Sequence, residues 1–196
     1  EENGPWLIAS ITGTSNEVTL IMQANNLVGS EKIVQWYFSL DPDLTLSKLI
    51  PTYLDSSTGP QGKVSLGHDT YSAANGGSHD LLFDFPNAKN AAFTAGEEVH
   101  YMFTYTGLET FNEDSFAFSS VGSPLSYSTA AHVSGIGIDT DGAYSGWIAQ
   151  GGAPAPVPEP ATMILFGSGL IGLAGFGRRG MTRAAKKKES RNSEAA

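Results

Sequence analysis

The sequence predicts an all-β fold: an antiparallel two-sheet sandwich or jelly roll, with an open barrel as the competing closure, then a Pro-rich linker and one C-terminal transmembrane helix. Three observations predict the β-domain. Short apolar runs alternate with polar residues at period two, clusters of Gly, Pro, Asn, Asp and Ser interrupt them, and no long stretch before residue 152 keeps a helical period.

Taken in chain order, residues 5–12 and 17–24 read as the first two strands, separated by polar turn residues. Residues 33–40 form a third, and Trp36 and Phe38 within it share one face and are expected in the core. Residues 41–51 carry a short helical turn, because Leu44, Leu46, Leu49 and Ile50 do not alternate cleanly. Residues 56–62 and 71–77 read as loops, and 79–85 as a strand whose Asp80 and Asp84 alternate with Leu81, Phe83 and Phe85 and so lie on its wet face. Residues 98–106 are the clearest strand, with Val99, Tyr101, Phe103 and Tyr105 on one face. Residues 115–119, 132–138 and 145–149 complete about eight strands. The domain spans residues 1–152; alternate prolines in 153–160 make a stiff extended spacer.

Charge divides the chain in two. Residues 1–156 hold four basic side chains (Lys32, Lys48, Lys63 and Lys89) against 17 acidic ones, a formal charge of −13, which disfavours nucleic acid and anionic lipid as partners. Beyond them, residues 161–177 contain no charge at all. At 1.5 Å per residue that run makes roughly 26 Å of helix, the short end of what spans a bilayer. Seven of the 11 Lys and Arg follow it, beginning with Arg178 and Arg179, so the tail 178–196 is expected in the cytoplasm and the β-domain outside. The chain opens at Glu1 and not at Met, which reads as a mature product with its signal peptide removed or as a fragment; the outward orientation favours the first. It has no cysteine, so an exported domain must fold without disulfides and thiol catalysis is excluded.

Pro158-Glu159-Pro160, then one short glycine-rich apolar run, then Arg178-Arg179 at the chain end, resembles the PEP-CTERM sorting signal of Gram-negative bacteria that make extracellular polysaccharide. The resemblance implies recognition of Pro158, Glu159 and Pro160 by an exosortase, a membrane-embedded cysteine transpeptidase, with the inner membrane as an intermediate stop and the surface or matrix as destination. An ordinary tail anchor behind a Pro-rich stalk is the plainer reading of the same hydropathy. A second resemblance rests on residues 36–42, 83–86, 130–137 and 145–148. These look like the extracytoplasmic domain of a group of PEP-CTERM proteins of unassigned activity, although Ser134 stands where that group often has Gln.

Candidate chemistry in the body is sparse. Asp139 and Asp141, with Glu113 and Asp114, offer oxygen ligands, but the twelfth position of an EF-hand starting at Asp139 is Gln150, so a solvated acidic turn is expected and no metal or cofactor is assigned. His68, His79, His100 and His132 show no metal-binding spacing, and no serine lies in a nucleophile-elbow context. Adjacent Glu97 and Glu98 would face opposite sides of a strand, which rules out a glycosidase pair. Among the tryptophans, Trp36 and Trp147 sit in apolar runs that favour the core, and Trp6 is the least committed. The expected function is a structural or adhesive, non-enzymatic component of an extracellular polysaccharide matrix; a carbohydrate-binding module or a secreted hydrolase with a loop-built site is the alternative.

Overall fold

The computed structural model describes residues 5–73, 77–88, 90–123, 126–137 and 144–151. Ten strands are described within them: β1 (Leu7–Thr14), β2 (Glu17–Ala24), β3 (Lys32–Phe38), β4 (Leu49–Tyr53), β5 (Lys63–Ser72), β6 (Ser78–Asp84), β7 (Phe93–Thr94), β8 (Glu98–Tyr105), β9 (Tyr127–Ile136) and β10 (Tyr144–Gly151). They form two sheets, β1-β2-β8-β4 and β10-β9-β3-β6-β5, with the short β7 added against β3, and every pairing is antiparallel. The predicted two-sheet sandwich is therefore the architecture of the described residues.

The period-two pattern explains how the sheets meet. In β8, Val99, Tyr101, Phe103 and Tyr105 are all buried while their neighbours are half exposed, and β2 does the same with Val18, Leu20, Met22 and Ala24. Opposite them, Trp36 and Phe38 of β3, Leu81 and Phe83 of β6, and Ala131 and Val133 of β9 point into the same core. Aromatic rings knit the two layers. Phe83 lies 4.8 Å from Tyr101 and meets Phe38 and Phe103 edge-on at 5.9 and 6.4 Å. The four side chains expected in the core, Trp36, Phe38, Tyr101 and Phe103, are all buried. The Tyr101 hydroxyl bridges the backbone of Gly62, donating to its carbonyl at 2.8 Å and accepting from its N–H at 3.0 Å, and burial pushes its pKa up to about 12.

Four expectations are corrected. Residues 115–119 are not a strand: Asn112 and Ser115 form a reciprocal capping box that folds Glu113–Phe116 into a 3₁₀ turn and sends Phe116 into the core. The short helical turn expected in residues 41–51 is present as the 3₁₀ turn Leu46–Lys48 but ends there: Leu49–Tyr53 is a strand, because it finds the free edge of β8, a partner that local pattern does not reveal. Lys63–Ser72 is also a strand, extending into the expected loop at residue 71, and its alternation is hidden by a register shift between Leu66 and Tyr71. Asp80 does not face water: its carboxylate accepts from the N–H of Asp69, within that irregularity, and from the N–H of Leu40, just past β3, both at 2.8 Å, and it is buried, whereas Asp84 stays exposed as expected.

The linker at 153–160, the apolar run at 161–177 and the tail at 178–196 lie outside the described residues. Among the described residues no helix is long and apolar enough to cross a membrane.

Candidate functional site

One face of the six-stranded sheet packs on the core; the other carries the feature that sequence reasoning placed elsewhere. Trp147 of β10 points outward with 40% of its surface exposed, a correction to the core position its apolar neighbours predicted. Its register explains this. Ile148 faces Ala131 and packs against the core, so Trp147, one residue earlier, must face the other way, opposite His132. The two rings stack with centroids 4.8 Å apart and planes 18° from parallel.

The strand register continues that pair into a row that crosses the sheet. Trp147 pairs with His132, His132 with Gln35, Gln35 with Asp84, and Asp84 with Lys63, one residue from each of β10, β9, β3, β6 and β5. At the usual 4.7–4.9 Å between strands the row is roughly 19 Å long. Its middle is held in place by side-chain bonds: the Tyr37 hydroxyl donates to Gln35 Oε1 at 2.8 Å, which aims the Gln35 amide nitrogen at Asp84 Oδ1, 3.4 Å away. Tyr37 also leans on Trp147 at 5.6 Å between centroids, and burial first, then the Asp84 carboxylate, raises its pKa. The next row, Ala149, Ala130, Tyr37, Leu82 and Ser65, is low beside Trp147 because two of its members are alanines. A flat aromatic ring followed by an amide, a carboxylate and an ammonium group can bind a long polar ligand; it offers no nucleophile with an activating base.

The remaining candidates stand as follows. His79 is fully buried, shares a 2.9 Å hydrogen bond with Ser39 through Nδ1, and meets no described partner at Nε2. Burial holds its pKa down at about 4, against a smaller upward pull from Asp80. His68 Nδ1 lies 3.8 Å from Asp80, and its Nε2 is 3.0 Å from the Leu44 carbonyl. On the outer face of the other sheet, Ser56 Oγ is 2.8 Å from His100 Nδ1, and Glu98 Oε1 is 3.1 Å from His100 Nε2. This has the residue types of a Ser-His-Glu triad, but the Glu98 contact lacks hydrogen-bond alignment, so the carboxylate does not orient the ring as a triad requires. Glu98 instead accepts from Gln23 at 2.9 Å, and that bond, aided by His100, holds its pKa below the ordinary carboxylate value. Glu97 caps its own turn by accepting from the Thr94 N–H. Trp6 is 39% exposed and immediately precedes β1, away from the sheet that carries Trp147. Glu113 and Asp114 occupy the 3₁₀ turn, while Asp139 and Asp141 lie outside the described residues. Among the described residues no group of three or more His, Asp or Glu is placed to hold a metal.

The Trp147 row was missed because its members lie 112 residues apart in sequence at the extremes, Gln35 and Trp147, and only the register brings them together. The exposure of 40% on one ring was the only part that alternation along residues 145–149 could have signalled.

The other functional element is linear. Residues 156–179 match the PEP-CTERM protein-sorting motif, a span that contains Pro158, Glu159 and Pro160 and ends on Arg178 and Arg179. The chain carries a PEP-CTERM sorting signal. Such a signal implies export, with sorting and processing by an exosortase; the residues that carry it lie outside the described part of the structure. No curated protein matches the chain. Two solved structures are similar at low level. One is the CBM3b module of the major scaffoldin subunit ScaA from Acetivibrio cellulolyticus, at 16% identity over 64% of this chain and 88% of that one, with a TM-score of 0.38. The other is a biomass-sensing module of Rsgi-like proteins from Clostridium thermocellum, at 14% identity over 78% of this chain and 93% of that one, with a TM-score of 0.31. At TM-scores of this size neither likeness says what this chain binds.

Proposed function

We propose that this PEP-CTERM protein is an exported, non-enzymatic adhesion component, retained in an extracellular polysaccharide matrix because the outer face of its six-stranded sheet binds an extended neutral polysaccharide. The observation that carries the reading is Trp147: a large ring, 40% exposed and held flat against His132, is an apolar platform for the C–H face of a sugar ring. Gln35, Asp84 and Lys63 continue in line with it and supply donors and acceptors for hydroxyl groups. The charge of −13 over residues 1–156 disfavours a polyanion. The sorting signal supports the compartment, since delivery through the inner membrane to the surface brings the domain to the matrix.

Affinity electrophoresis of the full chain in gels containing the exopolysaccharide of its own host, or soluble neutral glucans, tests the reading. The parent is expected to be retarded and Trp147→Ala to bind at least tenfold more weakly, as for an aromatic anchor worth more than about 1.4 kcal/mol. Trp6→Ala should bind as the parent does. Equal retardation of parent and Trp147→Ala, with unchanged thermal midpoints, would remove the platform from the account.

A further inference from the structure

Among the described residues, the four strands that end the two sheet paths, β1, β4, β5 and β10, are not equivalent. β4 carries Pro51, which cannot donate to a ladder, and β5 carries Lys63, His68 and Asp69 together with the register shift that ends at Tyr71. Both are features that natural sheets use to refuse a new strand. β10 is uncharged but is broken by register shifts at both ends, between Tyr144 and Ser145 and between Gln150 and Gly151. β1 has none of these defences. Its eight residues, Leu-Ile-Ala-Ser-Ile-Thr-Gly-Thr, contain no charge and no proline, and they pair with β2 in unbroken register from Leu7 to Thr14. Among the described residues, hydrogen bonds from β1 go to β2 alone, so the outer row of its N–H and C=O groups has no partner among them.

We propose that β1 is an interface for a second copy of this chain, pairing antiparallel with its own counterpart to join two four-stranded sheets into one of eight. The occupant follows from the strand's self-complementarity. Leu7, Ala9 and Ile11 pack toward the core, so Ile8, Ser10 and Thr12 face out. A two-fold axis through Ser10 sets Ser10 opposite Ser10, Ile8 opposite Thr12, Ala9 opposite Ile11 and Leu7 opposite Gly13. Core-facing Ala9 and Ile11 then meet across the axis, Leu7 falls over Gly13, which has no side chain to obstruct it, and no charge meets a like charge. The same axis sends the two β1–β2 turns, with Glu17, to opposite ends of the joint sheet. A cavity of about 70 Å³ opens between the two sheets beside this edge, lined by Leu7, Ala9, Trp36, Ala131 and Ile148 among others, and the second copy's Ile11, opposite Ala9, would arrive at its rim.

The chain contains no cysteine, so a single introduced thiol reports the pairing directly. In the full-length protein in membranes, mild oxidation of Ser10→Cys should give a covalent dimer on a non-reducing gel, because directly opposed positions bring Cβ atoms to about 4.5–5.5 Å. Ser145→Cys on β10 and Thr52→Cys on β4 should each give at least fivefold less. Ser10→Lys, which opposes two ammonium groups on the axis, should shift the detergent-solubilised full chain from dimer to monomer in sedimentation equilibrium. A parent that sediments as monomer throughout overturns the proposal. So does a Ser10→Cys variant that cross-links no faster than the two control positions, or one whose adduct has the mass of a different partner. None of these readouts depends on polysaccharide binding.

Discussion

Ser39 Oγ and His79 Nδ1 lie 2.9 Å apart in a place closed to water, and this single hydrogen bond is the only one the His79 ring makes to a described residue. Both side chains are at most 2% exposed. A second ring proton would have to sit on Nε2 with no acceptor, beside the Tyr37 ring 5.8 Å away, so the folded protein keeps the imidazole neutral down to about pH 4.

The pH dependence of stability follows. In the unfolded chain His79 takes up a proton near its ordinary pKa of 6.5, and in the folded chain only near 4. Between those values the unfolded state binds more protons, so stability is full above about pH 6.5 and falls as pH drops toward 4, by about 3 kcal/mol at 1.36 kcal/mol per unit. Chemical denaturation across that window should show the slope in the parent and a shallower one in His79→Gln. Parallel slopes would mean that other groups carry the effect.

Gly135 is a second test of the fold. It holds φ +80 near the end of β9, and a Cβ there would come within 2.2 Å of the Ser30 carbonyl oxygen, a backbone atom. Ser30 is tied to the same place by donating its hydroxyl to the Gly135 carbonyl at 3.0 Å. Gly135→Ala should therefore cost about 2 kcal/mol or more, adding strain at a left-handed position to a backbone clash. A thermal midpoint within a degree of the parent's would show that the loop at residue 30 moves freely.

Sorting separates recognition from anchoring. Replacing Pro158, Glu159 and Pro160 together with alanine leaves the uncharged run 161–177 and Arg178-Arg179 in place, so the protein should insert in the same orientation but accumulate unprocessed in the inner membrane. Deleting residues 161–196 removes the stop and should release the domain into the periplasm. Cell fractionation and the mass of the recovered protein distinguish the outcomes. Surface delivery of the triple-alanine protein at the parental rate and size would leave only a tail anchor.

The sequence by itself determined what is local or linear. The period-two face of residues 98–105 is a strand with a buried side because alternation along a single segment specifies which residues share a face, and Asn, Gly and Pro clusters mark where such segments end. The sorting signal is likewise legible, since its parts are read in chain order and need no partner strand. What pairs with what was decided only by the tertiary structure. Asp80 is buried because the N–H of Leu40, just past β3, and that of Asp69, in the irregular part of β5, both reach its carboxylate, and Leu49–Tyr53 is a strand because β8 has an edge to offer. Trp147, His132, Gln35, Asp84 and Lys63 form one row because four separate strand registers agree. Side-chain alternation sets which face a residue takes, but a row across a sheet depends on long-range pairing, and one residue of slip in any strand would send its member to the opposite face.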